Sequence, residues 1–287
     1  MSNGTAVPVG RVAELWRYPV KSTLGEQLEA VDVSAAGFGG DRGFGIIDAA
    51  TGLVASAKRP QRWARLLQLQ SELVSPGVVQ VRLPDGRRVV STDADSHAVL
   101  SAFLGRDVEL QEKAGEGAAL ERSDPDEVLA AGQDADVAFT MLEIAAGSPP
   151  GTFFDFSPLQ LVTTAALRRV GASHPAGRVD AARYRPNFVI DTVAALEGFV
   201  ENDWVGRRLR IGPEVVIDVL VPSPRCAIPT LRHGDLPPDP DALRTVREHN
   251  FVPVPIEGFG SATCLGAHAA VVARGRVAVG DEVVLVG

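Results

Sequence analysis

The sequence predicts a β-rich α+β protein of two domains, the second with helices packed on a curved sheet or barrel. Length is the first observation, because 287 residues exceed the usual domain size of roughly 100 to 200 residues and fit one large domain or two modest ones. The second is a run of short, alternating apolar and polar segments separated by turns in the first half. The third is a mixture of such segments with amphipathic helical ones in the second half, which indicates an α+β architecture.

In the first half, the elements are short strands and one helix. Pro84-Asp85-Gly86 predicts the turn of a hairpin, because glycine supplies the positive φ that tight turns need. A helix over 96–104 is expected between Asp95, a capping residue, and Gly105, a helix stop. The predicted strands cover residues 28–34, 43–48, 53–56, 78–83 and 87–91.

An acidic segment follows this half. From Asp107 to Asp155 there are twelve acidic residues, whereas Lys113 and Arg122 are the only basic ones. Its weak apolar periodicity predicts an exposed connection. We therefore expect an N-terminal domain over 8–120, an acidic linker-like segment over 121–150 and a second domain over 151–287. Such a segment is ordinarily just solvated; docking of a basic electron-transfer partner is the alternative.

In the second half, the pattern is mixed. Ser157-Pro158 predicts the start of a helix that runs to about Val170, and Asp239-Pro240 predicts the start of another. Arg274-Gly275 is expected to join the last two strands. The predicted strands cover residues 188–191, 215–221, 268–273 and 277–286.

Charge and cysteine content exclude several classes of function. A net charge of −8 without a basic stripe argues against a nucleic-acid partner. Two cysteines cannot supply a disulfide scaffold, a four-cysteine zinc site or a four-cysteine iron–sulfur cluster. No signal peptide and no apolar run of roughly 20 residues is present, so we expect a cytoplasmic protein with no membrane association and with free thiols.

Two familiar site patterns are also excluded. The glycine-rich run from Gly37 to Gly43 has Arg42 at the third glycine position and precedes a predicted strand, so it is not a dinucleotide-binding loop. The five histidines, at 97, 174, 233, 249 and 268, lack the close spacing of a zinc site.

Cys226 is the first candidate for chemistry. Pro222-Ser223-Pro224 is expected to end the strand over 215–221 and to place the thiol at a strand end. The neighbouring Arg225 favours the thiolate, which is a nucleophile and a ligand for soft metals. An inert, partly buried cysteine is the alternative. Cys264 lies among small residues and is expected to serve packing only.

Cationic residues beside turns form the second candidate group. Arginine binds phosphate through paired hydrogen bonds and lysine binds it as a point charge, so cations that converge from several loops suit an anionic ligand. Ordinary surface charge is the alternative. The group comprises Lys21-Ser22, Asp41-Arg42, Lys58-Arg59 and the segment from Arg183 to Asn187.

Taken in order, several of these motifs resemble one family, the MOSC-domain proteins. The family takes its name from the C-terminal domain of molybdenum cofactor sulfurases, and it includes the mitochondrial amidoxime-reducing component. The resemblance runs from about Val12 to Val286. It is carried by Tyr18-Pro19-Val20-Lys21-Ser22, the loop from Gly37 to Arg42, Arg185-Pro186-Asn187, Glu201-Asn202-Asp203-Trp204, Pro224-Arg225-Cys226 and Val277-Ala278-Val279-Gly280-Asp281.

The resemblance implies an N-terminal MOSC β-barrel domain and a MOSC β-barrel domain with packed helices, with the molybdenum cofactor bound between them. By this resemblance, Cys226 is the catalytic residue and the molybdenum ligand. The N-terminal contacts to the pterin and its phosphate are Lys21, Ser22, Arg42 and Arg59, with Lys58 as an alternative to Arg59. The second domain contributes Thr163, Arg185 and Asn187.

The function that the resemblance implies is a molybdenum-dependent, amidoxime-reductase-like oxidoreductase for N-hydroxylated or N-oxygenated small molecules. With no cluster cysteines or nicotinamide loop in the chain, we expect electrons from a separate reductase or ferredoxin. Two alternatives stay open. One is a carrier or maturation protein for the cofactor or for sulfur, held as a Cys226 persulfide. The other is a non-catalytic module for a phosphorylated ligand.

Overall fold

The computed structural model describes residues 6–145, 147–257 and 259–286. The strands in these ranges are β1 (Val7–Arg17), β2 (Glu26–Leu28), β3 (Ala30–Ser34), β4 (Gly37–Phe38), β5 (Phe44–Asp48), β6 (Gln70–Ser75), β7 (Val78–Arg82), β8 (Arg88–Val90), β9 (Val108–Glu112), β10 (Ala119–Ser123), β11 (Phe139–Glu143), β12 (Leu159–Thr163), β13 (Phe188–Thr192), β14 (Arg208–Ile211), β15 (Val215–Pro224), β16 (Phe251–Pro253), β17 (Ser261–Ala273), β18 (Gly275–Ala278) and β19 (Glu282–Val286).

The helices are fewer and shorter. Single 3-10 turns cover Ala64–Gln68, Ala181–Tyr184, Val200–Asn202 and Ile228–Thr230. Within the described part of the chain, no helix combines the length and the apolar character needed to cross a membrane. The α-helices are α1 (Pro60–Trp63), α2 (Ser96–Leu104), α3 (Pro125–Ala131), α4 (Thr164–Ser173) and α5 (Asp241–His249).

Seven strands close into a barrel. They follow the order β12, β13, β1, β19, β14, β15 and β17, and β17 pairs back onto β12. The β12–β13 pair is parallel, whereas the other pairs are antiparallel. The inward-facing apolar side chains of these strands form one buried cluster with Trp204. Closure leaves no unpaired edge among the seven strands.

Strand β1 comes from the N-terminal half of the sequence but is one of the seven strands of this barrel, between β13 and β19. It pairs with β13 through residues such as Leu15, opposite Phe188, and with β19 through Val7, opposite Leu285. The two halves of the chain are therefore joined by a shared strand as well as by side-chain packing.

The remainder of the N-terminal half consists of small sheets. Strand β6 pairs with β7 and β7 with β8, while β5 pairs with β9. These strands pack with α2 around a second buried cluster that includes Ile46, Val81 and Leu100. The predicted fold class, a β-rich α+β protein with barrel domains and few helices, is confirmed.

Several predicted elements are confirmed. The hairpin is β7–β8, with Gly86 at a φ of +87°. The predicted helix over 96–104 is α2, and Gly105 ends it at a φ of +71°. The helix expected after Asp239-Pro240 is α5.

The helix predicted from Ser157 to about Val170 is wrong in its first half. Leu159–Thr163 is strand β12, and the helix begins only at Thr164, capped by the Thr163 hydroxyl, which accepts from the Ala166 amide. Every residue of β12 is buried, because a strand inside a helix-covered barrel has no solvent face. The sequence of β12, Leu-Gln-Leu-Val-Thr, mixes apolar and polar residues, and periodicity over only five residues does not distinguish a strand from a helix.

Three local predictions also need correction. The strand over 53–56 is reduced to one bridge, between Val54 and Ile47. The segment over 277–286, predicted as one strand, contains the end of β18 and the whole of β19. Strand β18 pairs with β3 rather than with β17. Strand β15 continues through its two prolines, because register shifts between Pro222 and Pro224 accommodate residues that cannot donate to the ladder.

The acidic segment contains regular structure. Strands β10 and β11 pair in an antiparallel ladder, and α3 lies between them with Asp124 as its N-cap. The Arg59 guanidinium anchors the segment: it donates to the Val137 carbonyl at 2.6 Å and to the Asp136 carboxylate at 2.8 Å. Much of residues 121–150 is thus held by hydrogen bonds to the N-terminal half. The domain boundaries themselves stay a prediction.

We expect Leu15→Ala to destabilise both halves together. Leu15 is fully buried in β1, and a cavity at such a position costs about 2–5 kcal/mol of unfolding free energy. Chemical denaturation followed by tryptophan fluorescence measures the loss. Val7→Ala, on the same strand but with Val7 47% exposed, is the control and should change the free energy little. Equal effects of the two variants would contradict the assigned place of β1.

Candidate functional site

A cavity of about 340 Å³ opens at one end of the barrel, between barrel loops and the N-terminal half. The loop after β1, the loop before β5, the segment before α1, the end of β15 and the 3-10 turn before β13 all contribute to its wall. The lining residues used below are Lys21, Ser22, Arg42, Ser56, Lys58, Arg122, Glu143, Asp155, Phe156, Gln160, Arg183, Tyr184, Arg185, Val221, Ser223, Pro224, Arg225, Cys226, Ile228, Ile256, Phe259 and His268.

The cavity is strongly cationic although the protein is acidic. Seven lysine and arginine side chains line it, against the two carboxylates of Glu143 and Asp155. Asp155 bridges both lysines, with its oxygens 2.7 Å from Lys21 Nζ and 3.0 Å from Lys58 Nζ. This excess of positive charge suits an anionic ligand.

Burial and neighbouring charges shift the pKa values of Lys21 and Asp155. Burial lowers the pKa of Lys21 to about 8, opposed by the attraction of Asp155 and assisted by the charge of Lys58. Burial alone would raise the pKa of Asp155, but the charges and hydrogen bonds of the two lysines hold it well below its usual range. Asp155 is therefore ionised at neutral pH. Lys21 is a cation at neutral pH and loses its proton as the pH rises through about 8.

Two arginines enclose the buried ring of Tyr18. The guanidinium carbons of Arg42 and Arg185 lie 4.6 and 4.3 Å from the ring centroid. Arg42 donates to Asp41 and to the Arg185 carbonyl, and Asn187 Nδ2 donates at 2.8 Å to Asp41 Oδ2, the same carboxylate oxygen that Arg42 contacts. Burial lowers the pKa of Arg185 to about 10, so this guanidinium stays charged at neutral pH.

Three lining residues have left-handed backbones without being glycine. Their φ values are 63° at Ser22, 46° at Arg42 and 56° at Arg185. Side chains make this conformation unfavourable, so it persists only where surrounding contacts impose it, and such residues concentrate at functional sites. Their coincidence in one cavity indicates a wall built for a ligand.

Cys226 lies just beyond the end of β15, as a half-buried free thiol packed near Ile228. Beside it, Arg225 is held by backbone carbonyls: Nε donates to Leu265 at 2.8 Å and Nη1 to Tyr184 at 2.9 Å. Burial lowers the pKa of Arg225 to about 10, and the neighbouring cysteines oppose this. A cation therefore lies beside the Cys226 thiol, a side chain that can serve as a soft-metal ligand or as a nucleophile.

Cys264 differs, because it is fully buried and burial raises its pKa to about 11. In the described ranges, no group of three or more His, Cys, Asp and Glu side chains is arranged to hold a metal ion. A metal at Cys226 would therefore depend on ligands from a bound group for the rest of its coordination.

Two family models match the chain in succession. The MOSC N-terminal beta barrel domain matches residues 9–121 and the MOSC domain matches residues 149–284. The chain is a MOSC-domain protein. The cavity of this MOSC protein is formed by residues from both matched ranges. Membership in this family associates the chain with molybdenum cofactor biology in general.

The solved structures that match the chain include the YUAD protein from Bacillus subtilis, 12% identical, with 97% of each chain covered and a TM-score of 0.43. YiiM from Geobacillus stearothermophilus is 14% identical over 46% of this chain and 55% of that one, with a TM-score of 0.32. A hypothetical protein is 17% identical over 48% and 56%, with a TM-score of 0.33. A comparison with curated proteins gave no match.

The MOSC cavity brings together five of the predicted site residues, namely Lys21, Ser22, Arg42, Arg185 and Cys226. Lys58, the alternative to Arg59, also lines it.

Three predicted residues lie outside the described lining. Arg59 turns toward Asp136 and the Val137 carbonyl instead. Thr163 donates to the buried Glu201 carboxylate at 2.7 Å and caps α4. Asn187 binds Asp41 and the amide of Gln160, so it supports the cavity wall from behind. Each makes its contacts inside the protein.

Sequence reasoning missed Asp155, Gln160, Ser223 and His268 in the lining. In the sequence, Asp155 is only the end of the acidic segment, and Gln160 falls in the helix predicted from Ser157. Ser223 lay in a motif expected only to end a strand. Their shared position depends on barrel closure, which leaves no local signal in the sequence.

We expect one of the three lysines of the chain to titrate near pH 8, because burial lowers the pKa of Lys21 to about 8. NMR titration of ¹³C-labelled lysine side chains measures it, and Lys21→Gln assigns the signal. Asp155→Asn should lower the midpoint, since it removes an attractive charge. Lys58→Gln should raise it, since it removes a repulsive one. Three signals that all titrate near the ordinary value of 10.5 would contradict this electrostatic description.

Proposed function

We propose that this protein is a molybdenum-cofactor-dependent oxidoreductase that reduces N-hydroxylated or N-oxygenated small molecules. The observation that supports it most directly is the meeting of one half-buried thiol, Cys226, with seven cationic side chains in a single cavity. A pterin phosphate suits the cations, and molybdenum suits the thiolate.

The residues present fit the cofactor. Lys21, Lys58, Arg42 and Arg185 would hold the phosphate, because their side chains are hydrogen-bond donors only. The pKa values of Lys21 and Arg185 leave both as cations at neutral pH. Ser22 and Ser56, whose hydroxyl oxygens are 3.3 Å apart, add neutral hydrogen-bonding groups. A volume of about 340 Å³ lies in the range of small-molecule sites, which is about 300–1,000 Å³.

When bound, the cofactor would supply a metal centre that exchanges electrons and an oxygen atom with the substrate. The chain would supply the Cys226 thiolate as a ligand, with the Arg225 charge beside it. Apolar side chains of Phe156, Ile256 and Phe259 line the remaining space, where they would exclude water around the substrate. Reduction of an N–OH group to N–H consumes two electrons and two protons and releases water.

A separate redox protein would supply the electrons. The chain's two cysteines are too few for a four-cysteine cluster, and the glycine-rich loop before β5 leads into a strand, unlike a nicotinamide-binding loop. A reductase or ferredoxin is the class of partner that we expect.

Cys226→Ala should abolish molybdenum retention, because no other described side chain in the cavity is a soft ligand. Elemental analysis of protein purified from a cofactor-producing host measures this, with a cofactor-deficient host as the blank. Cys264→Ala is the matched control, since Cys264 is buried away from the cavity lining; it should keep near-stoichiometric metal.

Full metal content in Cys226→Ala would contradict the ligand assignment. An empty wild-type protein from the cofactor-producing host would contradict the enzyme proposal as a whole. Metal without reduction of an N-hydroxylated compound by artificial electron donors would favour a cofactor carrier. A persulfide on Cys226, detected by mass spectrometry in the metal-free protein, would favour sulfur transfer.

The neighbours Lys58 and Arg59 should behave differently when each is changed to glutamine. Lys58→Gln should reduce molybdenum content, because it removes a cation from the cavity wall. Arg59→Gln should leave the content unchanged but lower the unfolding free energy by about 1–3 kcal/mol, since it orphans a buried acceptor at Val137. Elemental analysis and denaturation of both variants make the comparison. Cofactor loss in the stably folded Arg59 variant would restore Arg59 as a contact.

A further inference from the structure

His268, in the middle of β17, has a serine on each ring nitrogen. Ser157 Oγ is 3.0 Å from Nδ1, and Ser223 Oγ is 3.2 Å from Nε2. The ring also packs edge-on against Phe156, with centroids 5.4 Å apart. All of these side chains except Ser157 line the cavity, so this arrangement forms part of its wall.

The hydrogen bond at Ser157 determines which nitrogen carries the proton. Ser157 Oγ donates its one hydrogen to the Leu159 carbonyl at 3.0 Å. It is left to accept at His268, so Nδ1 must carry the hydrogen. A neutral imidazole has one N–H, and therefore Nε2 has a lone pair.

His268 is neutral at ordinary pH. Burial, assisted by the nearby Arg225 charge, lowers its pKa to about 3, while the Asp155 charge opposes this. Nε2 consequently stays an acceptor, and the Ser223 hydroxyl must donate to it. Because a serine hydroxyl has only one hydrogen, its oxygen then offers nothing but lone pairs to a ligand.

Ser223 is three residues before Cys226, and the charged side chains of the cavity they share are seven cations against the carboxylates of Asp155 and Glu143. Both oxygens of Asp155 are taken by Lys21 and Lys58. Arg225 donates to backbone carbonyls. The cavity that contains Cys226 therefore presents, at Ser223, an acceptor whose direction is fixed by the hydrogen bond to His268.

We propose that Ser223 Oγ, oriented by His268, accepts a hydrogen bond from the N–H or O–H group of the substrate and so selects N-hydroxylated compounds over N-oxides that carry no hydrogen on nitrogen or oxygen. Ser223 is the specificity-determining residue and His268 is a positioning residue. The inference rests on the proposed function, because it concerns the substrate reduced at the same site.

The first test is the tautomer of His268, which requires neither cofactor nor turnover. In ¹⁵N-histidine-labelled protein, the signals lost in His268→Gln should show a protonated Nδ1 and an unprotonated Nε2. Ser223→Ala should shift the Nε2 signal, since it removes its donor. A protonated Nε2 would overturn the proposal.

The second test is binding to the cofactor-loaded protein in the absence of a reductant. The probes are benzamidoxime, which carries hydrogens on nitrogen and oxygen, and N,N-dimethylaniline N-oxide, which carries none on either. Calorimetry should show that Ser223→Ala weakens benzamidoxime binding by roughly tenfold, the equivalent of one hydrogen bond, and leaves N-oxide binding unchanged. Ser223→Thr, which keeps the hydroxyl, should restore the preference.

Val221→Ala is the matched control, because Val221 is an apolar lining residue of the same strand; it should change binding of both probes together and leave their ratio unaltered. His268→Gln should reduce the ratio of benzamidoxime to N-oxide affinity, because it removes the group that orients Ser223.

An unchanged ratio in Ser223→Ala overturns the proposal. Selective binding without reduction of either probe by artificial donors would support the acceptor at Ser223 and contradict the proposed oxidoreductase function, so the two failures are distinguishable.

Discussion

The barrel closes only with β1 between β13 and β19, and the rest of the structure depends on this constraint. Without β1, the seven-stranded ladder has a gap bounded by two unpaired edges. Because β1 is fixed in the barrel, the chain that leaves it at Arg17 must enter the cavity region within a few residues. Lys21 and Ser22 therefore reach the barrel end at which β15 presents Cys226 and the turn before β13 presents Arg185.

Backbone hydrogen bonds hold the loop after β1 against the loop before β5. The Arg42 amide donates to the Tyr18 carbonyl at 2.8 Å, and the Phe44 amide donates to Pro19 at 3.0 Å. The cations that converge there repel one another, so their positions need fixed partners: Asp155 for the lysines and Asp41 for Arg42. The left-handed residues of the wall are a sign of the same requirement, since strain persists where other contacts outweigh it. A site with this much buried positive charge is prepared for an anion before any anion binds.

Two kinds of polar group line the cavity that contains Cys226. Cations offer donors and suit a phosphate, whereas the Ser157–His268–Ser223 chain offers a directed acceptor and suits a neutral donor. A cavity that holds an anionic cofactor and also orients a small polar substrate requires both kinds. Arg225, which is occupied by backbone carbonyls, contributes charge to the thiol without competing for either ligand.

The sequence by itself determined the fold class, the hairpin β7–β8, helices α2 and α5, and the candidate residues Lys21, Ser22, Arg42, Arg185 and Cys226. These predictions rest on local signals: turn residues, capping residues and motifs in a fixed order.

Only the tertiary structure decided the rest. Leu159–Thr163 is a strand because it pairs with β13 and β17 in the closed barrel, and these pairings leave no local signal in the sequence. Lys58 lines the cavity and Arg59 does not, because neighbouring residues point in different directions once the chain is fixed. Ser223 and His268 are distant in sequence and meet through the pairing of β15 with β17, so no spacing along the chain records their contact.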